Sequence, residues 1–387
     1  MRAPVSALER RTARPESDLL LALTWLRLLP EQVEACRQHL RDHRERFDWG
    51  FFIDQAGRHK VLPLIGHHIA RHRLHHSGDG KPLIPHFDTY AAVYQGNRLR
   101  NEALGEEFGP VLDDLTASGI PYAVRKGPAL AEGLYKDPGL RRMNDLDLLL
   151  RRDDVDGVGQ VLRAHGYAQG HPTATGTVVE PFDRRTRAFW RLHVNNELPF
   201  HKPGNRLGVD VFAIDLCLDV FQHRPTSGSA VGDLLARRRS ARLFGRQTFT
   251  LSLSDQMLDL CAHFHKEATA RYYIEAGADL HLLKFLDIAL MGDRVSRASG
   301  WEDVVRKAYE YQASSVVYFA LQHVAWLYPT AVPKDRLAEL RPDSTDLLDE
   351  YGALDGDTER WQLPFLERLF RTDRGGLVRG TSVIPHV

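Results

Sequence analysis

The chain has little that would place it in an oxidising compartment, in a membrane or on a polyanion. Cysteine is scarce: Cys36, Cys217 and Cys261 are the 3 cysteines among 387 residues, far apart and in no C-x-x-C spacing. That excludes a disulfide framework and a thiolate zinc site, and a reducing cytoplasm is the expected location. An excess of either charge is absent too, because Lys+Arg and Asp+Glu each total 51. No global field draws in a long nucleic acid or an anionic membrane, so a polyanion site has to be local. No apolar run approaches the ~20 residues that span a bilayer. The basic stretch "MRAPVSALERRTARPESD" is not followed by the apolar core of a signal peptide, and residues 1–17 read as a disordered lead-in.

What is present is apolar residue enough, 43% of the chain, for two or three ordinary cores. Over residues 18–119, "LLLALTWLRLLP", "EQVEACRQHLRDH" and "VLPLIGHHIARH" carry apolar residues at three-and-four spacing and predict a helical region. It closes with one long helix, capped by Asp88 and ended by Gly119. From Ile120 the pattern changes. "IPYAVRKG" and "DLDLLL" predict strands, each followed by a helix; "RAFWRLHVNNELPF" and "LGVDVFAIDL" are expected to be two more strands joined by the "HKPGNR" turn. Residues 120–250 thus form a small mixed-sheet unit, and 251–387 a helical bundle with a polar surface tail after Pro342 that carries one helical stretch around "TERWQLPFLERLF". The expected fold class is α+β, a small mixed β-sheet core flanked by N-terminal helices and a C-terminal helical bundle.

Within that core, "MNDLDLLL" sets two acids one residue apart at the start of an apolar strand. Side chains alternate along a strand, so Asp145 and Asp147 share a face, about 6–7 Å apart. Two carboxylates so placed can share a hard divalent cation, since Mg2+ takes oxygen ligands and keeps waters while gathering substrate phosphates. A solvated strand end would look the same. Twenty residues upstream, Arg125-Lys126-Gly127 ends a strand and opens a helix at Pro128. Glycine there lets the backbone approach an anion, the first-turn amides point at it, and Lys126 adds charge. A phosphate seat beside a metal seat suggests a nucleoside triphosphate with its metal.

Here the residues resemble a known family. The block "GIPYAVRKGPALAEGLYKDPGLRRMNDLDLLLRRDDVDGVGQVLRAHGY" is similar to the core of the bacterial uncharacterised nucleotidyltransferases, a branch of the DNA polymerase beta-type superfamily. Lys126, Gly127, Ala129, Leu130, Ala131, Tyr135, Asp137, Pro138, Arg141, Asp145, Asp147, Gly166 and Tyr167 carry the likeness. The resemblance implies transfer of a nucleotidyl group: an acceptor hydroxyl or phosphate attacks the α-phosphorus of an NTP, and pyrophosphate leaves. It implies Mg2+, with Mn2+ as the alternative, held by Asp145 and Asp147. Lys126, Gly127, Arg141 and Asn144 are the expected nucleotide-binding residues, with Asn144 equally able simply to turn the chain. A third metal-ligating acid is expected from a later strand; Asp210 is the choice, with Asp215 and Glu197 as alternatives. Two departures stand out: Phe212 occupies the place of an expected histidine, and Arg125 replaces the usual apolar residue before Lys-Gly.

Other features carry less. The histidines of "HHIARHRLHHSGDGKPLIPH" follow no zinc spacing, and His263 and His265 are two apart on a predicted helix, facing different ways. The basic run around 237–246 could line an acceptor groove but reads better as a solvated loop. Glycosyl transfer from a nucleotide sugar and a non-catalytic nucleotide- or partner-binding module remain alternative readings. The acceptor is open among small molecule, peptide and tRNA; no membrane is expected, and neutral charge disfavours a long nucleic acid.

Overall fold

The computed structural model describes residues 12–77, 82–193, 196–206, 208–221 and 231–380. Four helices come first, α1 (Pro15–Leu23), α2 (Pro30–His43), α3 (Trp49–Arg58) and α4 (Leu62–Arg71), then the long α5 (Phe87–Ala117). Residues 1–11 of the expected lead-in lie outside the described residues, while 15–17 already belong to α1, where Glu16 and Ser17 are buried. Asp88 sits inside α5 and does not cap it; His86 precedes the helix in the left-handed region at φ 51°. Gly119, at φ +71°, follows its end.

The core then runs β1 (Tyr122–Arg125), α6 (Lys126–Leu130), a π-helical turn over Ala131–Tyr135, β2 (Asp145–Leu150), α7 (Val155–Ala164), β3 (Ala168–Pro172), β4 (Val179–Pro181), α8 (Arg184–His193), β5 (Phe200–Arg206) and β6 (Val209–Cys217). After α9 (Val231–Ala236) a hairpin, β7 (Arg239–Leu243) and β8 (Arg246–Thr250), completes one eight-stranded sheet in the order β4-β3-β5-β6-β2-β1-β8-β7. The sheet is mixed: β2 lies antiparallel to β1 and parallel to β6. The fold is α+β. The basic run at 237–246 is largely this hairpin, not a loop.

Two expectations in the core fail for local reasons. "RAFWRLH" is part of α8 and not a strand, because Asp183 Oδ1 accepts from the Thr186 amide at 2.6 Å and so satisfies one of the first-turn donors. That cap signal is readable four residues upstream of "RAFWRLH". "HKPGNR" is strand β5 rather than a turn, and the reversal falls at Gly208, whose φ is +80°.

Sheet register sorts side chains onto two faces. Tyr122, Val124, Leu146, Leu148, Phe212, Ile214 and Leu216 form a dry core with Leu104, Phe108 and Leu112 of α5 and Leu162 of α7. On the other face, Arg125 pairs with Asp147 across β1–β2, and Asp147 with Asp215 across β2–β6. The C-terminal helices are α10 (Leu253–Thr269), α11 (Arg271–Glu275), α12 (Leu282–Arg297), α13 (Trp301–Glu310) and α14 (Ser314–Leu327), of which α10, α11 and α12 face the acids across a shared cleft. The apolar sides of α10, α12 and α14 merge with α1–α4 into one large core, so N- and C-terminal helices jointly roof the sheet.

The tail is not the surface strand of chain expected after Pro342. α15 (Lys334–Glu339) ends before it; beyond Pro342 come a two-residue hairpin of β9 (Glu350–Tyr351) with β10 (Glu359–Arg360) and, within the expected helical stretch, α16 (Phe365–Leu369). Tyr351, Trp361 and Leu369 are buried, and Arg374 grips Asp279 through Nη2–Oδ1 at 2.7 Å.

Two histidines in these helical cores stay neutral. His68 and His323 are each 1% exposed, and burial pushes both down to about 3 despite one backbone hydrogen bond apiece. The unfolded chain takes up these protons near pH 6.5, whereas the folded one does so only near pH 3. Stability is therefore full above pH 6.5 and falls as the pH drops from there toward 3, by about 1.4 kcal/mol per pH unit for each histidine. Urea midpoints measured between pH 7 and 4.5 should fall, and His323→Phe should flatten that fall.

Candidate active site

β1 delivers Lys126 into the site through a backbone that other residues avoid: its φ is +43°. Such a conformation costs on the order of 1–3 kcal/mol and persists only where the surroundings hold it. Here Lys126 Nζ meets Asp147 Oδ1 at 3.3 Å, with both side chains largely buried. Gly127 lies close against β2, where a Cβ would be 3.4 Å from the Asp145 carbonyl oxygen. Arg125 is spent elsewhere. Its buried guanidinium pairs with Asp259 of α10, Nε to Oδ2 at 3.0 Å, which ties the sheet to its roof and explains the charge at a usually apolar place.

The acids follow from register. Asp145 and Asp147 share the roofed face of β2, and Asp215 stands beside Asp147 on β6. All three line one cleft of about 460 Å³. Asp210, the expected third acid, is not among the cleft residues: it precedes Asp215 by five positions, an odd number, so its side chain leaves from the opposite face, and it is exposed near the start of β6. Glu197 does line the cleft, where Gln169 Nε2 donates to its Oε1 at 3.3 Å. Burial, then repulsion from Asp147, pushes Asp145 up to about 6. Burial and both β2 acids push Asp215 up to about 7. Burial also opposes ionisation of Asp147, but Lys126 and Arg125 outweigh it and hold that carboxyl below its usual range.

Facing the acids is a cationic wall assembled from distant segments. Lys60 follows α3, Arg142 precedes β2, Lys266 is on α10 and Lys284 is on α12. Burial, followed by the neighbouring Lys60, Lys266 and Lys126 ammoniums, pushes Lys284 well below the ordinary lysine range; Glu267 is its carboxylate partner. Burial also lowers Lys60. An anion between these groups would relieve their mutual repulsion. Trp190, Tyr272 and Tyr273 add aromatic surface to the same cleft, and Lys266 Nζ sits 4.9 Å from the Tyr273 ring centroid. No single-sequence signal singled out Lys60, Lys284 or the aromatics, because each comes from an element that reaches the cleft only through tertiary packing.

Two expected nucleotide contacts have other employment. Arg141 lines the cleft, yet its guanidinium forks onto Asp287 of α12, Nε–Oδ1 at 3.0 Å and Nη2–Oδ2 at 2.8 Å. Tyr135 donates to the same Asp287 Oδ1 at 2.8 Å. Asn144 is exposed at the rim and accepts from Arg142 Nε at 3.2 Å. His263 pairs with Glu267 at 3.1 Å, and His281 lines the same cleft. Among the described residues no set of three His, Cys, Asp or Glu side chains is gathered tightly enough to hold an ion by itself. Mg2+ asks for less, one or two carboxylates with waters and substrate phosphates, and the buried, mutually repelling acids have the right donor chemistry.

Residues 45–329 match the family model described as "Uncharacterised nucleotidyltransferase". The chain belongs to this nucleotidyltransferase family. The matched region runs from just before α3 to just after α14 and so includes every residue of the acid cleft. No curated protein and no solved structure matches the chain. Family membership points to a nucleotide as the substrate; no helix is long and apolar enough to cross a membrane among the described residues.

Proposed function

We propose that this family member is a metal-dependent nucleotidyltransferase that moves an NMP group from an NTP to a hydroxyl or phosphate of an acceptor. The observation that carries this reading is one cleft with Asp145, Asp147 and Asp215 on its floor and Lys60, Lys266, Lys284 and Arg142 on its walls. Asp145 and Asp147 would hold Mg2+, or Mn2+, with Asp215 as the third acid in place of Asp210. The ion, when bound, neutralises phosphate charge and favours the attacking oxygen. The lysines hold the triphosphate, and Trp190 with Tyr272 and Tyr273 offers stacking surface for the base. An acceptor oxygen bonds to the α-phosphorus, the bond from that phosphorus to the bridging oxygen breaks, and pyrophosphate leaves; the proton lost by a hydroxyl acceptor passes to solvent or a floor carboxylate. Positioning and charge neutralisation supply most of the rate in such reactions.

A wall of four basic side chains, whose charged forms a bound anion would favour, suits three phosphates better than the diphosphate of a nucleotide sugar. Calorimetry with Mg2+ should therefore show a non-hydrolysable NTP binding more tightly than a nucleotide sugar, and the reverse order would overturn the reading. Lys266→Ala should weaken the NTP analogue by about tenfold or more, the loss of one charge-assisted contact. The acceptor fits a small molecule, peptide or tRNA end. Three free, buried cysteines are consistent with work in the cytoplasm.

A further inference from the structure

On the far side of the Tyr135–Asp287–Arg141 network lies a second cavity, of about 850 Å³, between α4, α12 and the π-helical turn. It shares Tyr135 with that network and none of the acids of the first cleft. Its charge is lopsided. Arg27, Arg71, Lys136, Arg294 and Arg297 line it against Asp137 and Asp293. Both acids are engaged: Asp293 pairs with Arg297 at 2.8 Å, and Asp137 accepts from Tyr94 Oη at 2.9 Å and from the Gly139 amide at 2.8 Å. No ion pair ties up Arg27, Arg71, Lys136 or Arg294 among the described residues. A π-helical turn, a rare deviation that concentrates at functional sites, forms one wall.

The second observation is a buried, unsatisfied acceptor. His68 lines this cavity and is 1% exposed. Its Nε2 lies 2.7 Å from the Trp25 carbonyl oxygen; a carbonyl only accepts, so Nε2 carries the proton and Nδ1 is a bare lone pair. That Nδ1 is buried with no partner, and a buried acceptor left unmade costs about 1–3 kcal/mol. The missing complement is an O–H or N–H donor. Anion-seeking arginines around a hydroxyl-seeking imidazole define a ligand class: a small phosphorylated molecule that also carries hydroxyls.

We propose that this cavity is a second ligand site, for a phosphorylated sugar or polyol, separate from the nucleotide cleft. The site does not depend on the nucleotidyl-transfer reading, since it uses none of the acids or lysines assigned there. Binding at it bears on the cleft through Tyr135, whose hydroxyl helps to fix the Asp287 carboxylate that holds Arg141.

Calorimetry on the full chain with ribose 5-phosphate and with inorganic phosphate as probes tests this. Ribose 5-phosphate should bind at one site, about tenfold more tightly than inorganic phosphate, because it adds sugar hydroxyls to the phosphate that both probes present to the arginines. Arg71→Glu combined with Arg294→Glu should weaken it by at least about tenfold, whereas Lys266→Ala, in the first cleft, should leave it unchanged. Should the double variant not fold, Arg27→Glu with Lys136→Glu, both at exposed positions, takes its place. The assignment is overturned by any of four results: no binding up to about 10 mM, equal affinity for the two probes, no effect of the charge reversals, or loss of binding on Lys266→Ala.

Discussion

Asp147→Asn should lower Mg2+-dependent release of pyrophosphate, or NTP-dependent labelling of an acceptor, by about a thousandfold, or ~4 kcal/mol of barrier. Asp147 is the acid held in its charged form, flanked by Lys126 and by Arg125, and it sits between Asp145 along β2 and Asp215 across the sheet. Its loss removes the central oxygen donor of the floor. The fold should survive, because one charge is withdrawn from three acids that repel one another; circular dichroism and the thermal midpoint would check that. Asp215→Asn should fall in the same range. Asp210→Asn is the control: that side chain projects from the other face, and activity within about twofold of wild type is expected. Full activity in both Asp147→Asn and Asp215→Asn, or collapse in Asp210→Asn, would sink the assignment.

Asp287→Ala should destabilise the protein by about 3–5 kcal/mol, because it strands a buried arginine and a buried phenol together. Asp287, Arg141 and Tyr135 are 3%, 8% and 5% exposed, so water compensates little. Thermal or urea unfolding should show a midpoint lowered by on the order of 10 °C or its denaturant equivalent. Replacing both charges with apolar groups, Arg141→Met with Asp287→Leu, should recover most of the loss, since a buried pair contributes less than its breakage costs. The same double variant separates anchoring from phosphate binding. If Arg141 is an anchor, the NTP analogue binds it within about threefold of wild type; a large loss of affinity at recovered stability would return Arg141 to the phosphate site.

The local elements were largely legible. β2 begins at Asp145 and ends at Leu150 as its alternation and apolar run foretell, and Lys126-Gly127 does open a helix after β1. α8 escaped because its cap, Asp183, lies outside the apolar stretch that looked like strand. Asp210 stands out in the sequence by its place after an apparent hairpin turn, but "HKPGNR" is strand β5 and β6 runs on to Cys217. Arg141 read as a phosphate ligand because its partner, Asp287, is 146 residues away, and no spacing rule links the two.

By itself the sequence determined the alternation that puts Asp145 and Asp147 on one face, the strand-to-helix turn that presents Lys126, and a cysteine and charge content that excludes disulfide and polyanion frameworks. These are short-range properties, set by backbone geometry and side-chain type within a few residues. Only the tertiary structure decided that Asp215 completes the acid floor, that four cations from α3's end, β2's approach, α10 and α12 face it, and that Arg141 is locked to Asp287. Register between strands and the roofing of a sheet by distant helices depend on contacts between residues tens to hundreds of positions apart, and those contacts are made by packing.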